Sequence, residues 1–270
     1  MKYKHWQVAA PQPEGQAALE AAGIPALLAG ILSSRGIAKP EQAQSLLSPD
    51  QEAILSPQLL KDMDRAAARV RLALERGELI AVYGDYDVDG ITSTCLLTRF
   101  LQQRGGTVVP YIPCRLEEGY GLNLEAVQSL SQQGVSLIIT VDCGITAVDE
   151  TRLANELGMD VVITDHHTCK DTLPPAAAVV DPHRPDCSYP FKGLAGVGVA
   201  LKLAMSVAGP EQAGEVLNEF CDLAAVGTVA DVMRMEGENR IIVRRGLEAL
   251  PHTDFVGIHA LLREAGLTGK

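Results

Sequence analysis

Three short segments hold most of the side chains in this 270-residue chain that could do chemistry. They are Asp85-Tyr86-Asp87-Val88-Asp89-Gly90, Asp142-Cys143-Gly144 and Asp165-His166-His167. Carboxylates brought to one place repel one another and resist ionisation unless a cation lies among them. Carboxylates joined by an imidazole suit Mn²⁺ or Mg²⁺, whereas zinc prefers thiolate and imidazole. Two such ions, about 3.5–4 Å apart, would lower the pKa of a shared water and clamp the oxygens of a phosphoryl group during in-line attack. Each segment also has a plainer reading. Asp89 before Gly90 could cap a helix, Asp142 beside a glycine could serve a turn, and a His pair could be structural. Their joint occurrence favours a site.

The elements that must position these side chains are legible in the apolar pattern. Leu79–Tyr83, Thr107–Ile112, Val135–Val141, Asp160–Thr164 and Ala177–Val180 read as strands. Helices are expected over Gly90–Arg104, Leu124–Gln133, Glu150–Leu157, Gly193–Val207 and Glu211–Val226. Apolar strands without in/out alternation, separated by helices, imply an α/β fold: a parallel sheet with helices on both faces. Ligands of such sheets bind outside the carboxyl ends of the strands. All three segments fall at strand ends, so the sheet gathers them regardless of their separation in sequence. Gly90 lets the backbone turn directly into a helix, whose N-terminus favours anions. The arrangement requires His166 to lie beside Asp89.

The first 76 residues read as a helical N-terminal segment with Pro and Gly punctuation. Within it, Met63, Ala67, Val70 and Leu74 share one helix face, and Lys61, Arg65 and Arg69 repeat every four residues on another. That basic stripe reads as a solvated face or as a contact for a polyanion. Residues 77–250 form the expected catalytic domain, and 251–270 a linker or the start of a further domain within a helical C-terminal extension.

With 34 acidic against 23 basic residues the net charge is −11, which argues against a broad basic footprint for nucleic acid. Metal-bound carboxylates would change that balance locally, because two divalent ions add four positive charges where a phosphate lands. The six cysteines include no C-x-x-C pair, so reduced thiols are expected rather than a zinc site or a disulfide framework. No apolar run is long enough to span a membrane, and Met1–Gln7 lacks the features of a signal peptide, so a cytoplasmic location is expected.

The three acidic segments resemble the first motifs of the DHH phosphoesterase family. Three further stretches resemble its RecJ branch of single-strand exonucleases: Arg115-Leu116-Glu117-Glu118-Gly119-Tyr120-Gly121-Leu122-Asn123, Gly193–Ala200 and Asp222–Asp231. The resemblance implies that Asp87, Asp89, Asp142, His166 and Asp231 hold two metal ions, Mn²⁺ or Mg²⁺, with Asp142 bridging. It places Asp85 and Asp165 beside the metals as ligands or supports, and His167 on the scissile phosphate. Asp231 is preferred over Asp222, which reads as a helix cap. Arg115 is expected to meet backbone phosphate, and Tyr120 to stack on a base or pack locally. Gly193–Gly198 is read as close helix packing. Basic residues at His183-Arg184 and at Arg234, Arg240, Arg244 and Arg245 read as modest, mostly solvated patches.

The implied activity is 5′→3′ hydrolysis of single-stranded DNA in recombination and repair. Single-strand-binding protein and recombination helicases are the implied partners. The alternatives are a small-substrate phosphoesterase for short oligonucleotides or cyclic dinucleotides, and a non-catalytic scaffold at replication forks.

Overall fold

The computed structural model describes residues 7–47 and 54–267. Met1–Trp6, which carry most of the leader-peptide reading, and the last three residues of the 251–270 segment lie outside the described residues. The chain divides into two compact units, Met1–Ile54 and Leu55–Lys270.

The first unit contains three short helices, α1 (Pro13–Ala21), α2 (Ala26–Ser34) and α3 (Pro40–Leu47). Proline opens α1, where its fixed φ fits and its missing N–H costs nothing. Leu19, Ala29, Leu32 and Ala43 form a small apolar cluster.

The second unit opens with a 3₁₀ turn at Pro57–Leu59 and helix α4 (Met63–Arg76). Its sheet contains β1 (Leu79–Tyr83), β2 (Thr107–Tyr111), β3 (Leu137–Val141), β4 (Asp160–Thr164) and β5 (Ala178–Val180). All pairings are parallel, in the order β2-β1-β3-β4-β5. β1, β3 and β4 are buried almost end to end, as their uninterrupted apolar composition requires. β2 lies at an edge, where Pro110 leaves no ladder partner unsatisfied.

Helix α5 (Val88–Gln103) follows β1, α6 (Leu124–Gln132) follows β2, and α7 (Val148–Glu156) follows β3. One sheet face, through Ala81, Tyr83, Ile138, Val161 and Ile163, packs in a core with Val127 and Leu130 of α6 and Ala154 of α7. The other face meets α5 and α8 (Gly196–Ala208). Beyond α8 come α9 (Ala213–Ala230), α10 (Gly237–Ala249), a 3₁₀ turn at Leu250–His252 and α11 (Val256–Glu264). α4 packs on α8 and β5, so this helix, read from sequence with the N-terminal segment, groups with the second unit. Among the described residues, no helix is long and apolar enough to cross a membrane.

Several expectations need correction. The helix expected from Gly193 begins at Gly196, because Asn239 Nδ2 donates to the Gly193 carbonyl at 2.5 Å and holds it in the loop. The helix expected to end at Val226 continues to Ala230, so Asp222 lies in mid-helix rather than at a cap. Its carboxylate is buried and accepts a hydrogen bond from Thr253 Oγ1 at 2.6 Å. Arg184 is no solvated patch: its buried guanidinium bonds Asp62 at 2.7 Å and Asp186 at 2.8 Å. In the basic stripe, Arg69 bonds Glu78 at 2.6 Å and Asp160 at 2.5 Å, so its charge is used within the fold.

Candidate metal centre

In this strand order the connections leave β1 and β3 in opposite directions, which opens a crevice beyond their carboxyl ends. β1 delivers Asp85, Asp87 and Asp89 there, β3 delivers Asp142, and β4 delivers Asp165, His166 and His167. Asp231 arrives from the C-terminus of α9.

Ligand atoms of these residues fall into three groups, each within 4.8 Å: Asp85–Asp87–Asp142, Asp89–His166–Asp231 and Asp142–His166–His167. Asp142 and His166 each belong to two of them. His166 Nε2 lies 3.1 Å from Asp142 Oδ1, 3.7 Å from Asp231 Oδ2 and 3.8 Å from Asp89 Oδ2. The required neighbourhood of His166 and Asp89 is therefore present.

Each side chain is held by local structure. Asp87 is the N-cap of α5, its Oδ1 accepting from Gly90 N at 2.9 Å. Asp89 therefore does not cap its own helix. Its carboxylate reaches α8, accepting from Gly196 N at 2.7 Å and Val197 N at 2.8 Å. Asp85 is buried and accepts from Tyr86 N at 2.7 Å. Asp142 adopts φ +61°, a left-handed conformation that Asp tolerates better than most residues. Gly196 must be glycine, because a Cβ there would stand 2.5 Å from Asp142 Oδ1.

Asp165 plays a different part. Oδ1 accepts from the backbone N–H of His166 and His167 and lies 2.7 Å from His167 Nδ1, while Oδ2 accepts from Ile145 N at 2.9 Å. It belongs to none of the three ligand groups. Both oxygens are engaged in fixing the β4 loop and the His167 ring. Burial would raise its pKa, but hydrogen bonds from His167 and the backbone outweigh that and hold it below the usual carboxylate range. The same bond to Asp165 raises the pKa of His167 against the opposing effect of burial.

The ligand carboxylates behave in the opposite way. Burial, reinforced by Asp89, Asp87 and Asp165, pushes Asp142 up to about 10. Burial pushes Asp89 up to about 6 despite its two backbone donors. Asp231 is also raised, by burial and by Asp87. It sits at the negative end of the α9 dipole, where a further carboxylate is unfavourable. Asp142 Oδ1 is buried and accepts no hydrogen bond of good geometry. An orphaned carboxylate oxygen among converging anions is what a bound cation would satisfy, and oxygen donors with one imidazole fit Mn²⁺ or Mg²⁺.

Beyond the metal ligands, the 112–121 loop is anchored by Glu118, which accepts from Tyr111 Oη at 2.5 Å and Cys114 N at 2.7 Å. Arg115 is exposed, with its guanidinium carbon 5.1 Å from the Tyr86 ring centroid. Tyr120 meets His167 edge-to-face, with ring centroids 6.0 Å apart.

Sequence reasoning passed over one contributor, Glu118, and one buried acidic neighbour, Asp181. Glu118 lay inside a quoted motif, yet its role depends on the neighbouring strand. Asp181 also stands at a strand end, that of β5, but the short strand and the following proline hid the pattern. It is fully buried, and burial pushes its pKa to about 7.

Residues 79–228 match the DHH family, N-terminal domain, and the chain belongs to this family. Within it, the chain is 44% identical over 262 residues to the single-stranded-DNA-specific exonuclease RecJ of Bacillus subtilis, covering 97% of this chain and 33% of that protein. It thus spans about a third of that relative's length. A crystal structure of exonuclease RecJ bound to manganese superposes with a TM-score of 0.73 at 42% identity, over 80% of this chain and 55% of the other. The crystal structure of Thermus thermophilus RecJ in complex with Mn²⁺ gives a TM-score of 0.78 at 35% identity, over 97% of this chain and 37% of the other.

Proposed function

We propose that this chain carries the hydrolytic centre of a two-metal phosphodiesterase that degrades single-stranded DNA from its 5′ end. The observation that carries the reading is the sharing of Asp142 and His166 among three ligand groups drawn from three strand ends and one helix end. Similarity to single-stranded-DNA-specific exonucleases supports the substrate class, and the 5′ polarity is what the motif resemblance implies. The reading takes in Mn²⁺ or Mg²⁺ as cofactor, a cytoplasmic setting, and recruitment by single-strand-binding protein and recombination helicases.

In this reading Asp89, His166 and Asp231 would hold one ion and Asp85 and Asp87 the other, with Asp142 placed to serve both. When bound, the ions supply Lewis-acid stabilisation of phosphoryl charge and a water of lowered pKa. Asp165 keeps the Nδ1 proton of His167 in place, so the imidazolium form donates toward a phosphate oxygen. Asp89, tied to the first amides of α8, keeps its oxygens fixed as charge develops nearby. Arg115 neutralises backbone phosphate, and Tyr120 offers a π-face or edge to the base beside it.

The test is digestion of 5′- and 3′-labelled single strands with Mn²⁺, using this chain and its Asp142→Ala variant. Mononucleotide release from the 5′ end is expected, falling about a thousand-fold or more in the variant while unfolding stays cooperative. Retained Mn²⁺-dependent cleavage in the variant would sink the reading. Faster turnover of a dinucleotide or of pyrophosphate than of a long strand would replace it with a small-substrate hydrolase.

A further inference from the structure

We propose that Tyr86 is a positioning residue whose ring sets Arg115 and Tyr120 over the metal centre. The segment that carries Asp85, Asp87 and Asp89 would then also fix where the single strand lies. The kinetic part of this inference rests on the phosphodiesterase reading above.

The 112–121 loop is fixed at its ends and open in between. Glu118 anchors its base and the Tyr83 hydroxyl, donating to the Gly121 carbonyl at 2.9 Å, its far end, but Arg115 is exposed and Leu116 is 94% exposed at the tip. Tyr86 supplies the contact on the inner side. The Arg115 guanidinium carbon lies 5.1 Å from its ring centroid. The Tyr120 ring meets it edge-to-face, with centroids 6.4 Å apart at 81°. Tyr120 then meets His167 at 6.0 Å, and His167 meets His166 at 4.5 Å. A continuous line of ring contacts thus runs from an exposed cation to a candidate metal ligand, with Tyr86 as its second member.

Tyr86 is itself well placed to act as the fixed point. It is half-buried, and its backbone N–H donates to Asp85 Oδ1 at 2.7 Å between two candidate ligands. The contacts use the ring, so phenylalanine should serve and an aliphatic side chain should not. Cation–π attraction and an edge-to-face pair are each worth only about a two- to ten-fold bias in an equilibrium. They are enough to choose among positions of an exposed loop without deciding whether the domain folds.

The experiment compares the wild-type chain with Tyr86→Leu, which keeps apolar volume without a π-face, and with Tyr86→Phe. Four quantities are read: kcat and KM on a 5′-phosphorylated oligothymidylate, Mn²⁺ affinity by calorimetry, and the rate of tryptic cleavage after Arg115. For Tyr86→Leu, KM is expected to rise about ten-fold with kcat within about two-fold. Mn²⁺ affinity should hold and cleavage after Arg115 should accelerate. Tyr86→Phe should restore both KM and protease resistance. Wild-type KM together with an unchanged tryptic rate in Tyr86→Leu would overturn the inference. So would a loss of Mn²⁺ affinity that accounts for the whole kinetic defect. If the wild-type chain shows no Mn²⁺-dependent hydrolysis, the functional reading fails while the tryptic comparison still decides the placement of the loop.

Discussion

Two clusters of buried charge in the second unit are treated in opposite ways. Beside α8 and α10, the Lys202 ammonium lies 2.5 Å from Glu238 Oε1 and donates to the Leu55 carbonyl at 2.6 Å. Glu238 also accepts from Leu55 N and from Tyr189 Oη. Burial lowers the pKa of Lys202, and Glu238 opposes that. There the protein supplies both charges and nearly every hydrogen bond. At the strand ends, Asp142 has Asp89, Asp87 and Asp165 as its principal charged neighbours, and one of its oxygens is orphaned. A balanced buried cluster is a fastening. An unbalanced one held in place by good backbone geometry is a receptor for charge from outside.

Three perturbations would break or sharpen that contrast. The largest effect is expected at the fastening, where Lys202→Met leaves Glu238 buried and unpaired. It should cost about 3–5 kcal/mol in urea unfolding, and Lys202→Met with Glu238→Leu should recover most of the loss. A single-variant cost below about 1 kcal/mol would mean that the pair is not the fastening described.

The second concerns pH. A carboxyl with a raised folded pKa binds more protons when folded than when unfolded, so its ionisation favours unfolding. Asp89 and Asp142, raised to about 6 and about 10, should therefore make the metal-free chain lose stability as pH rises above about 4. Saturating Mn²⁺ should flatten the slope, as should Asp142→Asn in part. A metal-free stability that climbs from pH 5 to 8 would contradict the picture.

The smallest effect is expected at Asp165→Asn. Its amide would oppose a backbone N–H from either Ile145 or the His166–His167 pair. Mn²⁺ affinity or turnover should drop about ten-fold or more, with the fold retained. Equal activity would show that His167 is oriented by something else.

The strands were legible because β1, β3 and β4 are buried on both faces and so appear as unbroken apolar runs ending in polar residues. That alone located Asp85, Asp87, Asp89, Asp142 and His166. The order of the strands was not legible, since it depends on which face each connection takes. Asp231 lies after a helix, where no strand-end argument reaches it, and only the family resemblance pointed to it. The bonds from Asp89 to Gly196 and Val197 join residues more than a hundred positions apart, and local spacing carries no trace of them. Gly193 misled the helix boundary because its loop is held by Asn239, a tertiary contact.

The left-handed backbone at residue 142 affects any effort to silence the centre. Alanine there would add a conformational penalty that has nothing to do with ligand loss, whereas asparagine shares the tolerance of aspartate for that region. The gap between the two variants therefore separates main-chain strain from lost charge. Of the two, the amide is the better choice for trapping an uncut strand in an undistorted cleft.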